Sequence, residues 1–173
     1  LFRLTRYSDL EISHTEEPED LLAMIEEQLF QRRFGEVVRV EVQLARGLPA
    51  LSLVGLAGAA TRESRERVYG ALRESGFELP AGRVTVNLAP AEEPKEGSAF
   101  DLPMALAILG AHGTIPRDRL HDVLVLGELS LNGDVRPVRG ALAAAEAARV
   151  AKKRGVLVAR ENGPEAALVR GVE

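Results

Sequence analysis

The sequence of 173 residues contains no cysteine and no tryptophan, and only two tyrosines and five phenylalanines. The absence of cysteine excludes disulfides, thiolate catalysis and zinc sites built on cysteine, and it fits a reducing, cytoplasmic setting. The three histidines (His14, His112 and His121) do not have the spacing of metal ligands. We therefore expect neither a metal nor a cofactor, and a location in the cytoplasm.

Long apolar runs are absent as well. No run approaches the roughly 20 residues that span a bilayer, and the first residues lack the apolar region of a signal peptide. The sequence thus predicts no membrane partner. Because the chain begins with Leu1 and not with Met, we expect a processed, excised or engineered piece.

Charge is divided unevenly along the chain. The net charge is −4, and the first 43 residues hold 5 basic and 10 acidic side chains, whereas residues 44–173 hold 17 and 16. Neither part has the basic excess that is typical of a dedicated nucleic-acid-binding domain. A local cationic patch is still compatible with these counts.

Hydrophobic periodicity predicts a mixed α/β domain. Alternating residues predict strands over residues 38–44, 50–54, 84–88, 123–131, 135–138 and 155–158. A helical period predicts helices over residues 60–75, 98–110 and 140–151, with a short one after Pro164. The turn at 46–49 predicts a hairpin of the first two strands, and Asn132-Gly133 is the strongest hairpin signal. We predict an α/β (α+β), two-layer fold with a mixed sheet and helices mainly on one face.

The first forty residues differ from the rest. Residues 2–12 predict an irregular strand, and Pro18 with its acidic neighbours predicts the first turn of a helix that ends at Gly35. The apolar stripe of this predicted helix consists of Leu21, Leu22, Ile25, Leu29 and Phe30.

The loop before the helix predicted over residues 98–110 is a candidate anion-binding site. Gly97 and Ser98 would offer backbone N–H groups at a helix N-terminus, with Lys95 beside them. The alternative, which the sequence favours, is that Ser98 caps the helix and Asp101 complements its dipole.

Two groups of cations are candidates for contact with DNA phosphates: Arg62, Arg65 and Arg73, and the run Lys152, Lys153 and Arg154. The ordinary alternative is favoured for the first group. The pairs Arg62–Glu66 and Glu63–Arg67 are four residues apart, which is typical of paired charges on a solvated helix face. The second group follows a helix C-terminus, where cations are stabilised.

From about residue 40 the chain resembles the N-terminal domain of the ComM (YifB) family of magnesium-chelatase-like AAA+ proteins. The segments are RGLPA (46–50), RESRERV (62–68), RVTVNLAPA (83–91), KEGSAFDLP (95–103), LGEL (126–129) and RPVRG (136–140). The resemblance implies a Lon-protease-like fold, shared with a ribosomal-protein domain, and an AAA+ module in full-length members, which are associated with DNA branch migration during natural transformation. No phosphate loop of the form G-x-x-x-x-G-K-[ST] occurs in the chain.

Residues 1–43 instead resemble a β-α-β stretch of bacterial polyphosphate kinase, on FRLTR (2–6), RRFG (32–35) and VRVEV (38–42). The two resemblances overlap at Val40-Glu41-Val42. We therefore predict a chimera, natural or constructed, joined through one strand, with residues 1–43 and 40–173 forming a single domain.

The resemblance also bears on catalysis. Lon-type proteases use a Ser–Lys dyad; Ala99 takes the serine position here unless the loop is shifted by one residue to Ser98, and Leu142 falls at the lysine position. Since a serine needs a nearby base, we expect no enzyme activity. The leading hypothesis is an accessory domain of an AAA+ motor that acts in assembly or in weak contact with DNA. A homo-oligomer is an open alternative for its partners. A designed or chimeric chain without biological activity is the second reading, and a Ser–Lys peptidase is disfavoured.

Overall fold

The computed structural model describes residues 37–55, 57–92, 95 and 97–173. The strand over residues 2–12, His14 and the helix over residues 18–34, all predicted or discussed from the sequence, lie outside the described residues. Within them, no helix is long and apolar enough to cross a membrane.

Seven strands and five α-helices follow one another in the described part of the chain. In chain order they are β1 (Arg39–Ala45), β2 (Ala50–Val54), α1 (Ala59–Glu74), β3 (Arg83–Ala89), α2 (Asp101–His112), α3 (Arg117–His121), β4 (Val123–Val125), β5 (Glu128–Leu129), β6 (Val135–Arg136), α4 (Ala141–Val150), β7 (Gly155–Leu157) and, after a 3-10 turn at Arg160–Asn162, α5 (Gly163–Ala166). The helices predicted within the described residues are confirmed to within three residues at each end, whereas α3 was not predicted.

The largest sheet is mixed and has the order β1-β3-β2, with β3 antiparallel to β1 and parallel to β2. The predicted hairpin of β1 and β2 is therefore wrong, because β3 lies between them. The reason is burial: Val84, Val86 and Leu88 of β3 are fully buried, and a central strand gains backbone partners on both edges. A side chain on Gly55 (φ +96°) would lie 2.1 Å from the Leu88 carbonyl oxygen, so glycine is required where β2 leaves the sheet.

Helices α1 and α2 cover one face of this sheet and enclose the main core. Val68 and Leu72 of α1 and Met104 and Ile108 of α2 are buried there with Phe100. Val38, directly before β1, is buried, and Val40 and Val42 of β1 are half-buried against the same core, whereas Leu44 is 36% exposed near the end of the strand. The alternation over residues 38–44 therefore turns its first three apolar side chains towards the main core.

A smaller unit of the fold is formed by the parallel pair β4–β7 with α4 and α5. The predicted hairpin at Asn132-Gly133 is confirmed: β5 and β6 pair antiparallel, and the Ser130 N–H donates to the Asp134 carbonyl at 3.0 Å. The predicted strand over residues 123–131 is interrupted at Leu126-Gly127. There the Gly127 carbonyl accepts the Leu102 N–H and the Gly127 N–H donates to the Ala99 carbonyl, both at 3.0 Å, so its backbone groups hold the start of α2 instead of a strand.

Candidate functional site

The loop before α2 is fastened to the start of α1. The Lys95 carbonyl accepts the Gly58 N–H at 2.8 Å and the Thr61 hydroxyl at 2.8 Å, and Thr61 also reaches the Gly97 carbonyl at 3.2 Å. Thr61 is fully buried, so these bonds form in a site shielded from water. The loop is therefore held through its backbone carbonyl groups. A pattern of side chains in the sequence does not predict such contacts.

Ser98 does not cap α2. The helix begins at Asp101 with Phe100 at the N-cap position, and no side chain makes a capping bond there. The Ser98 hydroxyl donates instead to the Glu128 carboxylate on β5. The capping prediction is wrong because this charged acceptor, 30 residues away in sequence, lies within reach of the loop.

The central feature of the site is a buried ion pair between α1 and α2. Arg67 donates to both carboxylate oxygens of Asp101, at 2.6 Å from Nε and 3.2 Å from Nη2. Asp101 is fully buried and also accepts the Leu129 N–H at 3.2 Å, so one carboxylate joins α1, α2 and β5. The hydrogen bond from Asp101 raises the pKa of the Arg67 guanidinium above its ordinary value, with burial acting in the opposite direction.

Arg67 was expected on the solvated face of its helix, and this expectation is wrong. Its side chain is only 22% exposed and donates to the Ser64 hydroxyl at 2.9 Å as well as to Asp101. The predicted pair of Glu63 with Arg67 is present at 4.0 Å. Arg62 does not face Glu66 as predicted; its Nε donates to the Ala57 carbonyl at 3.0 Å. On another side of α1, Ser64, Val68, Ala71 and Leu72 are buried.

An open cleft of about 740 Å³ lies beside this network, between α1 and the β5–β6 hairpin. Carboxylates of Glu63, Glu66 and Glu128 and the guanidinium groups of Arg67 and Arg136 line it. Arg136 lies 4.0 Å from Glu128. Because its lining contains charges of both signs, the cleft does not present the uniform potential that draws in a strongly charged ligand.

The candidate anion-binding loop, with Lys95, Gly97 and Ser98, has a conformation that the sequence did not predict. The Lys95 side chain is fully buried, Ser98 is half-buried against Glu128, and Gly97 has a positive φ of +93°. Among the described residues, no group of three His, Asp or Glu side chains could hold a metal ion. Anion binding by Lys95, Gly97 and Ser98 stays a prediction.

The two groups of candidate DNA-contacting cations lie in different parts of the domain. Helix α1, which carries Arg62, Arg65 and Arg73, packs against α2, β2 and β5, whereas α4, which precedes Lys152, Lys153 and Arg154, packs against α5, β7 and β4. Several of these cations already have partners: Arg65 pairs with Glu66 at 3.2 Å, Arg154 with Glu173 at 3.4 Å, and Lys153 Nζ donates to the His121 carbonyl at 2.6 Å. Contact with DNA stays a prediction.

The resemblance to Lon-type proteases assigned the dyad positions to Ala99 and Leu142, and neither of these side chains carries an acid–base group. Ala99 is half-buried, and its carbonyl accepts the Gly127 N–H. Leu142, at the lysine position, lies in the first turn of α4 with 37% of its surface exposed, and its N–H donates to Glu165 at 3.2 Å.

This sequence matches the family model described as subunit ChlI of Mg-chelatase over residues 40–162. The chain belongs to this family. An uncharacterized protein of Mycobacterium tuberculosis is 47% identical over 139 residues, or 80% of the chain and 28% of the relative. The competence protein ComM of Haemophilus influenzae is 43% identical over 77% of the chain, and YifB of Escherichia coli 42% identical over 78%; each match covers 26% of the relative. The chain thus spans about a quarter of the length of these relatives.

Two further similarities are to a polyphosphate kinase and to a Lon protease. The polyphosphate kinase middle domain matches residues 1–52, and the polyphosphate kinase of Thermosynechococcus vestitus is 54% identical over 50 residues, 29% of this chain and 6% of that enzyme. The Lon protease of Chloroflexus aurantiacus is 30% identical over 74% of the chain and 16% of the protease. The resemblances to the ComM (YifB) family and to polyphosphate kinase are confirmed. The matches of the two family models overlap at residues 40–52, which include β1 from Val40 onward and β2 up to Ser52.

Proposed function

We propose that this chain provides a non-catalytic, Lon-like accessory domain of a ComM-type AAA+ ATPase that processes DNA in the cytoplasm, and that it acts in assembly or in weak contact with DNA. The name of ComM, a competence protein, supports a role in natural transformation. The ATPase machinery would lie in the part of the relatives that this chain does not span.

One observation carries the non-catalytic part of the proposal: the polar groups around the Lon serine position are used for contacts within the domain. Ser98 donates to Glu128, Thr61 bonds the loop carbonyls, and Asp101 pairs with Arg67. A serine nucleophile needs a base that accepts its proton and releases it again. Leu142 offers none at the lysine position, so the loop serves the fold.

A peptidase assay tests this directly. We expect the chain not to cleave casein or an unstructured fluorogenic peptide, and the Ser98→Ala variant to be indistinguishable from it. The matched variant Ala99→Ser with Leu142→Lys restores both residue types at the dyad positions and shows whether the assay can detect cleavage on this scaffold. Cleavage by the unaltered chain that disappears in Ser98→Ala would refute the non-catalytic function.

The DNA part is tested by fluorescence anisotropy of a labelled duplex at several salt concentrations. Because the described cations are interspersed with carboxylates, we expect weak binding that falls steeply as salt rises. Arg62→Ala with Arg65→Ala should weaken it further, whereas Arg149→Ala, which removes a cation already paired with Glu146, serves as the control. If the chain bound DNA tightly at physiological salt and the double variant bound it equally tightly, the assignment of DNA contact to Arg62 and Arg65 would be wrong.

The role in assembly is tested by placing this domain in a full-length relative. Residues 40–173 of this chain replace the matching part of Haemophilus influenzae ComM, and sedimentation and ATP hydrolysis are compared with those of ComM and of ComM lacking that part. We expect the exchanged protein to assemble like ComM and the truncated one to fail. Equal assembly of all three proteins would contradict the proposed role in assembly.

A further inference from the structure

An apolar groove of about 230 Å³ lies between β1, α2, α3 and β4. Its apolar lining includes Val40 and Val42 of β1, Leu106 of α2, Leu120 of α3 and Val123 of β4. All five side chains are half-buried, so the groove presents apolar surface that the described residues do not cover. Apolar surface of this kind marks a place where another segment binds.

The groove lies between the edges of two sheets. Among the described residues, β1 pairs with β3 alone and β4 with β7 alone, so no described strand joins β1 to β4. Arg117 stands at the rim, held by bonds from Nε to the Gly110 carbonyl at 2.9 Å and from Nη2 to the Ala111 carbonyl at 3.0 Å. His121 lines the same rim and is exposed. The rim therefore carries one fixed positive charge, the Arg117 guanidinium.

We infer that this groove binds the apolar side chains of residues 21–30 of the same chain. The tether requires proximity: Phe30 precedes Val38 by eight residues, a distance of at most about 28 Å when fully extended, and Val40 already lines the groove. The spacing also fits, because Leu21, Ile25 and Leu29 recur every four residues and would form one apolar stripe on a helix.

Charge favours the same occupant over an unrelated apolar segment. Glu16, Glu17, Glu19 and Asp20 directly precede the stripe, and they are opposite in sign to the Arg117 rim. This inference does not depend on the proposed function, since an accessory domain or an inactive chain could fold in this way.

The absence of cysteine makes disulfide trapping free of background. Leu120→Cys is combined in the full chain with Leu21→Cys, Ile25→Cys or Leu29→Cys, oxidised mildly, and analysed by mass spectrometry and non-reducing gel. We expect a disulfide within one chain for at least one pair. The control pairs Leu120→Cys with Glu27→Cys, which lies opposite Ile25 on a helical period and should remain reduced. Absence of any bridge, equal trapping of Glu27→Cys, or bridges that join two chains would overturn the inference, the last by assigning the groove to a second copy.

A second measurement does not rely on cysteine geometry. Ile25→Asp and Leu120→Asp should each lower the melting temperature of the full chain, because each would place a carboxylate in an apolar contact. If the two side chains share the groove, the double variant should lose less than the sum of the single losses. Additive losses, or no loss in Ile25→Asp, would refute the contact.

Discussion

The two helical interfaces of this domain are held together in different ways. Helices α1 and α2 meet through large apolar side chains and one buried ion pair, Arg67–Asp101. Helix α4 packs against α5, β4 and β7 through four buried alanines, Ala141, Ala144, Ala145 and Ala148. In its ion pair, Glu146–Arg149, the arginine side chain is 51% exposed, and no carboxylate is fully buried as Asp101 is.

The difference shows that burial, more than the presence of opposite charges, decides what an ion pair contributes. A buried carboxylate cannot exchange its partner for water, so removal of that partner is costly. An exposed pair competes with water and salt and contributes little. The lowered pKa of Glu146, caused by its hydrogen bond to Arg149, records a local contact at the surface and carries little of the folding energy.

The largest effect should follow from breaking the buried pair. Asp101→Ala would leave Arg67 and the Leu129 N–H without their shared acceptor, and should lower the free energy of unfolding by about 3 kcal/mol. Urea titration would measure it. The control is Glu63→Gln, which removes the exposed partner of the same arginine and should change stability little; equal losses would mean that burial does not distinguish the two carboxylates.

The alanine interface should be sensitive to added volume. Ala145 is fully buried, and Ala145→Leu would force α4 away from its neighbours, which should lower the free energy of unfolding by about 2 kcal/mol. Ala151→Leu, at an exposed position after the helix, is the matched control for thermal unfolding. If Ala145→Leu left the free energy of unfolding unchanged, the interface would have space for a larger side chain and the prediction would be wrong.

A smaller loss should come from the bond between the loop and β5. Ser98→Ala removes the hydroxyl that donates to Glu128, and should lower the free energy of unfolding by about 1 kcal/mol because the carboxylate still has Arg136 and water nearby. Chemical denaturation of Ser98→Ala beside Ser52→Ala, an exposed serine on β2, would isolate the bond. Identical midpoints for the two variants would show that the bond contributes nothing.

The smallest effect should come from the ion pair of α4. Glu146→Gln removes the carboxylate that accepts Arg149 Nε at 2.9 Å. Because the Arg149 side chain is 51% exposed, water can replace the lost acceptor, so we expect almost no change in melting temperature. A loss comparable with that of Asp101→Ala would erase the contrast between the two interfaces.

Local patterns were sufficient for much of the fold. The alternation in β1 and β3, the helical period of α1 and α4, and the Asn132-Gly133 turn each depend on residues close together in the chain, so their conformations follow from local sterics and from which face is apolar. The family resemblance rested in the same way on short contiguous segments, and the comparison with subunit ChlI confirmed it over residues 40–162.

Strand order and side-chain partners depended on contacts distant in sequence. No local signal indicates that β3 lies between β1 and β2, because the order follows from which strand buries most apolar surface between two neighbours. Arg67 has the spacing of a surface charge, and Ser98 has the position of a cap. Only the approach of Asp101 and Glu128, 34 and 30 residues away, turns these side chains inward, because a charged acceptor in a shielded site outweighs the weaker local bond.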